Sequence, residues 1–183
     1  DDASTEMSLA ELQDWSGAHV ERTRHKLGPD AMSRHIMEAF VESSHDILVL
    51  LDSDMVVAQT WWASLQSILD ETGVLSLYRS GAPKHKSSHC GPVLCSMSSL
   101  GNAGTVWRRD LAKKMLAEMS ARAGFDWGWS EWCVNNSIPM KALRQSAVLH
   151  IGVHGSWSHE STAEKSVGFP MKELSVEVRE RAN

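Results

Sequence analysis

The run Ile47-Leu48-Val49-Leu50-Leu51, closed by Asp52-Ser53-Asp54, constrains this chain more than any other stretch. Five consecutive apolar residues between polar neighbours are too short for a helix and leave no side for solvent. They read as a strand covered on both faces, of the kind found in parallel sheets sandwiched between helices. In open α/β sheets ligands gather beyond the carboxyl ends of the strands, so the two carboxylates that emerge there are placed to meet one. Mn2+ and Mg2+ prefer oxygen donors, and two carboxylates one residue apart on a tight turn can share an ion. A bare D-x-D is also common as a solvated loop. Its place after a buried strand and before a helix sets this one apart.

With 183 residues, 42% of them hydrophobic, one domain with a sizeable core is expected. A net charge of -5 and a pI near 6.0 leave no global basic surface, so nucleic acid is not an expected partner. No segment approaches the roughly 18 apolar residues that span a bilayer, and the first residues are acidic. The chain is therefore read as soluble, either cytoplasmic or a soluble domain of a larger protein. Cys90, Cys95 and Cys133 form neither a CxxC pair nor an even set, which argues against a disulfide framework or a structural zinc site and favours a reducing compartment.

Periodicity and turn chemistry predict a short helix over Ser8 to Asp14, a small strand over Gly17 to Glu21, and a longer helix from Ala31 to Ser44. After the strand Asp46 to Leu51 come a helix Trp61 to Leu69, with Gly73 as its stop, and a strand Val74 to Tyr78. Arg79 to Gly91 reads as a long polar loop and Val93 to Met97 as a strand. Asp110 is read as the N-cap of a helix through Met119, a further helix begins after Trp129, and Ala147 to Val153 is a late strand. The division expected is a domain over 1–160 and an arm or surface helix over 161–183.

Eight tryptophans against one tyrosine and three phenylalanines are an unusual balance. Trp127, Trp129, Trp132 and Trp157 fit core or rim packing, or a platform on which sugar rings stack. Both readings stay open from sequence.

These motifs resemble, in order and spacing, family 2 type glycosyltransferases of the GT-A fold. Asp1-Asp2-Ala3-Ser4-Thr5 is similar to the D-D-x-S-T signature after that family's second strand. Leu27-Gly28 through Ala31-Met32-Ser33-Arg34-His35 is similar to its G-x-x-x-A-R-N helix, with His35 in place of Asn, and Ile47 to Asp54 to its D-x-D strand. Gly101 to Thr105 resembles its small-residue loop. Phe125-Asp126-Trp127-Gly128-Trp129-Ser130-Glu131-Trp132 resembles its aromatic segment ending in an acidic pair at a helix start, with Trp132 where the second acid stands. Val148 to Gly152 resembles the strand that carries a metal-binding histidine.

The resemblance implies a single Rossmann-like GT-A domain, α/β, with a mostly parallel central sheet and helices on both faces. Its first strand, first helix and most of the second strand would be missing from this chain. It also implies a metal-dependent transferase, of hexosyl or N-acetylhexosaminyl type, acting in polysaccharide or glycoconjugate biosynthesis. Such an enzyme moves a sugar from a nucleotide-diphosphate donor, UDP favoured, to an acceptor hydroxyl with inversion. Carried over to this chain, Asp2, Arg34, Asp52, Ser53 and Gly104 would bind the donor, and Asp52, Asp54 and His150 would hold Mn2+ or Mg2+. Glu131, or else Asp126, would be the general base, while Trp127, Trp129, His154 and Trp157 would touch sugar or acceptor. The alternative is a non-catalytic carbohydrate or nucleotide-sugar binding module, motivated by Trp132 and the missing N-terminal portion.

Overall fold

Local chemistry sets where the elements begin and end in the computed structural model, which describes residues 2, 3, 5, 7–81, 85–119, 124–151 and 166–173. Helix α1 (Leu9–Ser16) starts at a capping box, in which the Ser8 hydroxyl accepts from Glu11 N at 3.2 Å and the Glu11 carboxylate accepts from Ser8 N at 2.8 Å. The small strand expected over Gly17 to Glu21 does not form. Pro29 opens α2 (Pro29–Glu42), where its missing N–H costs nothing, and Met37 and Phe40 are buried one turn apart. Next come β1 (Ile47–Leu50), β2 (Met55–Val57), α3 (Trp61–Gln66) and β3 (Val74–Ser76). Gly73, at φ +94°, passes so close to Pro139 that a Cβ would overlap its carbonyl.

The chain continues through β4 (Ser87–Cys90), β5 (Leu94–Met97) and β6 (Thr105–Arg108) to α4 (Arg109–Glu118) and α5 (Phe125–Asn135), and then to β7 (Met140–Leu143), β8 (Val148–His150) and a 3-10 turn at Met171–Glu173. Helix α4 is entered from Arg108 rather than capped by Asp110, which sits in the first turn where the helix dipole favours its charge.

Six strands form one sheet in the order β1-β6-β3-β7-β5-β4, and β2 pairs with β8 in a separate ribbon. Within the large sheet only β3 and β7 are parallel neighbours; β1–β6, β3–β6, β5–β7 and β4–β5 all run antiparallel. The expected mostly parallel, Rossmann-like GT-A sheet is thus corrected to a mixed, mostly antiparallel one. The strand expected to be covered on both faces is instead the edge strand β1, with Leu50 buried, Ile47 to Val49 half-buried and Leu51 exposed, and an apolar run carries nothing about which way its neighbour runs. Here β6 enters between β1 and β3 and reverses both contacts.

Alternation along the central strands serves two cores. Val74, Trp107, Met140 and Ala142 join Met37, Phe40, Met115, Phe125 and Trp129 on the face covered by α2, α4 and α5. Leu75, Val106 and Leu143 join Leu65, Ile68 and Val148 on the opposite face. Phe169, from the part of the chain expected as an arm, is buried with Ala58 and Leu149. Among the described residues no helix is long and apolar enough to cross a membrane.

A disulfide joins Cys90 and Cys95 across the β4–β5 hairpin, where the cysteine count argued against a disulfide framework. The odd count spoke to a disulfide framework, whereas a single cross-strand pair needs only the register that sets Cys90 opposite Cys95.

Candidate metal centre

Strands β1, β3 and β7 point the same way, because β6 is antiparallel to both β1 and β3 and β7 is parallel to β3. One edge of the sheet therefore receives Asp52 to Asp54 from the end of β1 and Tyr78 from the end of β3. Strand β6 starts there, so Asn102 to Gly104 arrive at the same edge. Helix α2 runs back antiparallel to β1, and Asn102 Nδ2 donates to Ser33 Oγ at 2.7 Å, which brings the start of α2 to this edge too. Gly124, just before α5, lies beside Asp30, so a Cβ there would sit 3.5 Å from the Asp30 carboxylate. The two helix starts are neighbours.

The turn after β1 closes with Met55 N donating to Asp52 O at 3.2 Å, and β2 leaves it to pair antiparallel with β8. That register sets Met55 opposite His150, and Ile151 N donates to Asp54 O at 2.9 Å. The two side chains then meet, with His150 Nε2 3.1 Å from Asp54 Oδ2 and both partly shielded from solvent. The hydrogen bond with His150 holds the Asp54 carboxyl below its ordinary value, against the opposing effect of burial. Asp54 is accordingly ionised near neutrality.

Around this pair the support is aromatic and backbone-based. The Tyr78 ring lies 6.4 Å from the His150 ring, tilted by 57°. Gly104, at φ +67°, backs onto Tyr78, where a Cβ would come within 3.0 Å of Tyr78 Cβ and 3.2 Å of its N. The glycine expected to make room for a donor sugar thus makes room for the tyrosine that borders His150. His150 N donates to Ser166 Oγ at 3.3 Å, and Ser166 bridges to Ser80 beyond β3.

A carboxylate oxygen and an imidazole nitrogen are a donor set for a small divalent cation. Two adjacent ligands of an octahedral ion, each about 2.1 Å from it, lie about 3.0 Å apart, close to the spacing of this pair. Among the described residues no group of three or more His, Cys, Asp and Glu side chains gathers to hold a metal. Water and substrate oxygens would complete the shell, as is usual for Mg2+. Asp52 and Ser53 are exposed on the same turn.

The other expected site residues divide. Asp2 accepts from the backbone of Leu27 and, at 2.8 Å, of Gly28, and from Thr23 Oγ1; the Leu27 bond is the main reason its carboxyl sits low. It fastens the loop that leads into α2. Arg34 is in an i, i+4 ion pair with Glu38 at 2.8 Å. Glu131 is exposed in the middle of α5, because the helix begins at Phe125 rather than after Trp129; Asp126 takes the helix-start position instead. Trp129 is fully buried against Trp107, with ring centroids 5.1 Å apart, and so is core rather than platform. Trp127 is half exposed and stacks on His85 at 5.6 Å and 3°. His154 and Trp157 lie outside the described residues.

Sequence reasoning missed Tyr78, Ser166 and the His85 stack. Only Tyr78 left a signal, as the chain's one tyrosine at the end of an expected strand.

No protein-family model and no curated protein matches the chain. Among solved structures it is similar to the one described as the crystal structure of A197 from STIV, with a TM-score of 0.51 and 14% sequence identity over 81% of this chain and 80% of that one. At that identity the likeness concerns the fold alone.

Proposed function

We propose that this protein is a metal-dependent glycosyltransferase that moves a sugar from a nucleotide-diphosphate donor, UDP favoured, to an acceptor hydroxyl. The observation that carries the reading is the Asp54–His150 contact, formed by two residues remote in sequence at the edge where three strands end and two helices begin. Transfer leaves a diphosphate, and a divalent cation, when bound, neutralises the charge that develops on it. Asp54 and His150 would hold Mn2+ or Mg2+, and Asp52, exposed on the same turn, would contribute to the ribose. An acceptor hydroxyl must also lose a proton. Glu131, or else Asp126, would take it as the general base.

The test is UDP-sugar hydrolysis and transfer with and without Mn2+, in the wild type and in Asp54→Ala. Mn2+-dependent turnover that disappears in the variant supports the reading. Unaltered metal and nucleotide affinity in Asp54→Ala contradicts it. A second reading, a carbohydrate or nucleotide-sugar binding module without turnover, draws on Glu131, which lies exposed in the middle of α5 rather than at a helix start. Metal-dependent donor binding with no product for any acceptor distinguishes it.

A further inference from the structure

Arg79 leaves the end of β3 and lays its guanidinium along the Cys90–Cys95 disulfide, with Nη1 3.6 Å from Cys95 Sγ and 3.9 Å from Cys90 Sγ. Among the described residues no carboxylate pairs with it. Its Nε is buried without an acceptor, and Arg144, the neighbouring charge, repels it. A partly shielded cation against two neutral sulfurs is incompletely compensated. One sulfur turned thiolate would compensate it.

We propose that Cys90–Cys95 is a thiol-exchange site for small-molecule thiols, in which Cys90 is the sulfur attacked and Cys95 leaves as a thiolate beside Arg79. An incoming thiolate bonds to Cys90 Sγ, the Cys90–Cys95 bond breaks, and its electron pair goes to Cys95 Sγ. The product is a mixed disulfide on Cys90. A second thiolate attacking the outer sulfur releases a small-molecule disulfide and the Cys90 thiolate, so two thiols are oxidised as one protein disulfide is reduced.

Geometry selects the sulfur. Strand β4 is the last in the sheet, Cys90 is partly exposed on it, and Cys95 is fully buried on β5. Displacement at sulfur is in line, so attack on Cys90 comes from outside the sheet edge, whereas attack on Cys95 would have to pass through the layers behind it. A thiolate beside a guanidinium is the better leaving group. Cys133 makes the contrast, for burial pushes its thiol up to about 12.

The experiment equilibrates the whole chain in glutathione buffers of graded reducing strength, quenches with acid, alkylates, and locates modified cysteines by mass spectrometry. Reversible reduction with the glutathione adduct on Cys90 is expected in the wild type. Arg79→Met should need about tenfold stronger reducing conditions, the effect of one pKa unit on the leaving thiol. Arg79→Lys, which keeps the charge, should stay nearer the wild type. An adduct on Cys95 overturns the proposal, as do equal midpoints for the wild type and Arg79→Lys together with Arg79→Met. The adduct position is read on the wild type alone, so the test survives a variant that fails to fold.

Discussion

The β2–β8 corner and helix α5 both drew attention as dense clusters of residues capable of chemistry, and folding treated them in opposite ways. At the corner a strand end and an antiparallel register bring Asp54 and His150 to 3.1 Å. In α5, helical periodicity sends Trp129, Trp132 and Cys133 into the core with Phe125, and leaves Trp127 and Glu131 outside. Strand termini release side chains to one shared edge. A helix divides its residues among faces, whatever their chemistry.

The largest expected effect tests the structural half of that contrast. Trp129→Ala should cost about 3–5 kcal/mol in denaturant unfolding, as for other fully buried large aromatics, while Trp127→Ala, which removes only a half-exposed ring stacked on His85, should cost about 1 kcal/mol. Equal costs would erase the division of α5 into core and rim. The functional half comes next. Asp54→Ala should lower Mn2+-dependent UDP affinity by about 100-fold or more, beyond what outer-shell changes cause, and Glu131→Gln should leave it unchanged in the same titration.

Gly104→Ala is expected to destabilise by roughly 1–2 kcal/mol, because an L side chain meets both an unfavourable φ and Tyr78. It should also weaken metal binding by displacing Tyr78 from beside His150; stability lost with metal binding intact would detach Tyr78 from the corner.

The smallest effect is electrostatic. The folded-state value of Asp54 is lowered, so its contribution to stability is fully present above the ordinary carboxylate value of about 4 and fades as the pH falls through the lowered one. His150→Ala should return the Asp54 carboxyl carbon, followed by NMR, to an ordinary titration. A titration that stays low would assign the shift to another cause.

What could be read from sequence follows from the same physics. Strand β1 was legible because five apolar residues have few alternatives, and its end marked the site edge. The direction of its neighbour and its place at the sheet edge were not, since an apolar run reads the same beside a parallel or an antiparallel partner. Strand β4, Ser87-Ser88-His89-Cys90, carries no alternation at all and exists through pairing with β5. Strand β6 falls between the small-residue loop and the expected N-cap at Asp110, where no pattern was read, and Met140 to Leu143 contains good helix formers that tertiary pairing turned into β7. Asp54 and His150 were anticipated together from the resemblance, but Tyr78, Gly104 and Ser166 support them through contacts that no local pattern encodes.

Pulsed electron paramagnetic resonance of bound Mn2+ tests the metal pair most directly. The wild type should show nitrogen coupling from a directly bound imidazole, lost in His150→Ala and absent with Mn2+ unbound in Asp54→Ala. Mn2+ bound tightly without that coupling, or with the same coupling in His150→Ala, would place the ion elsewhere.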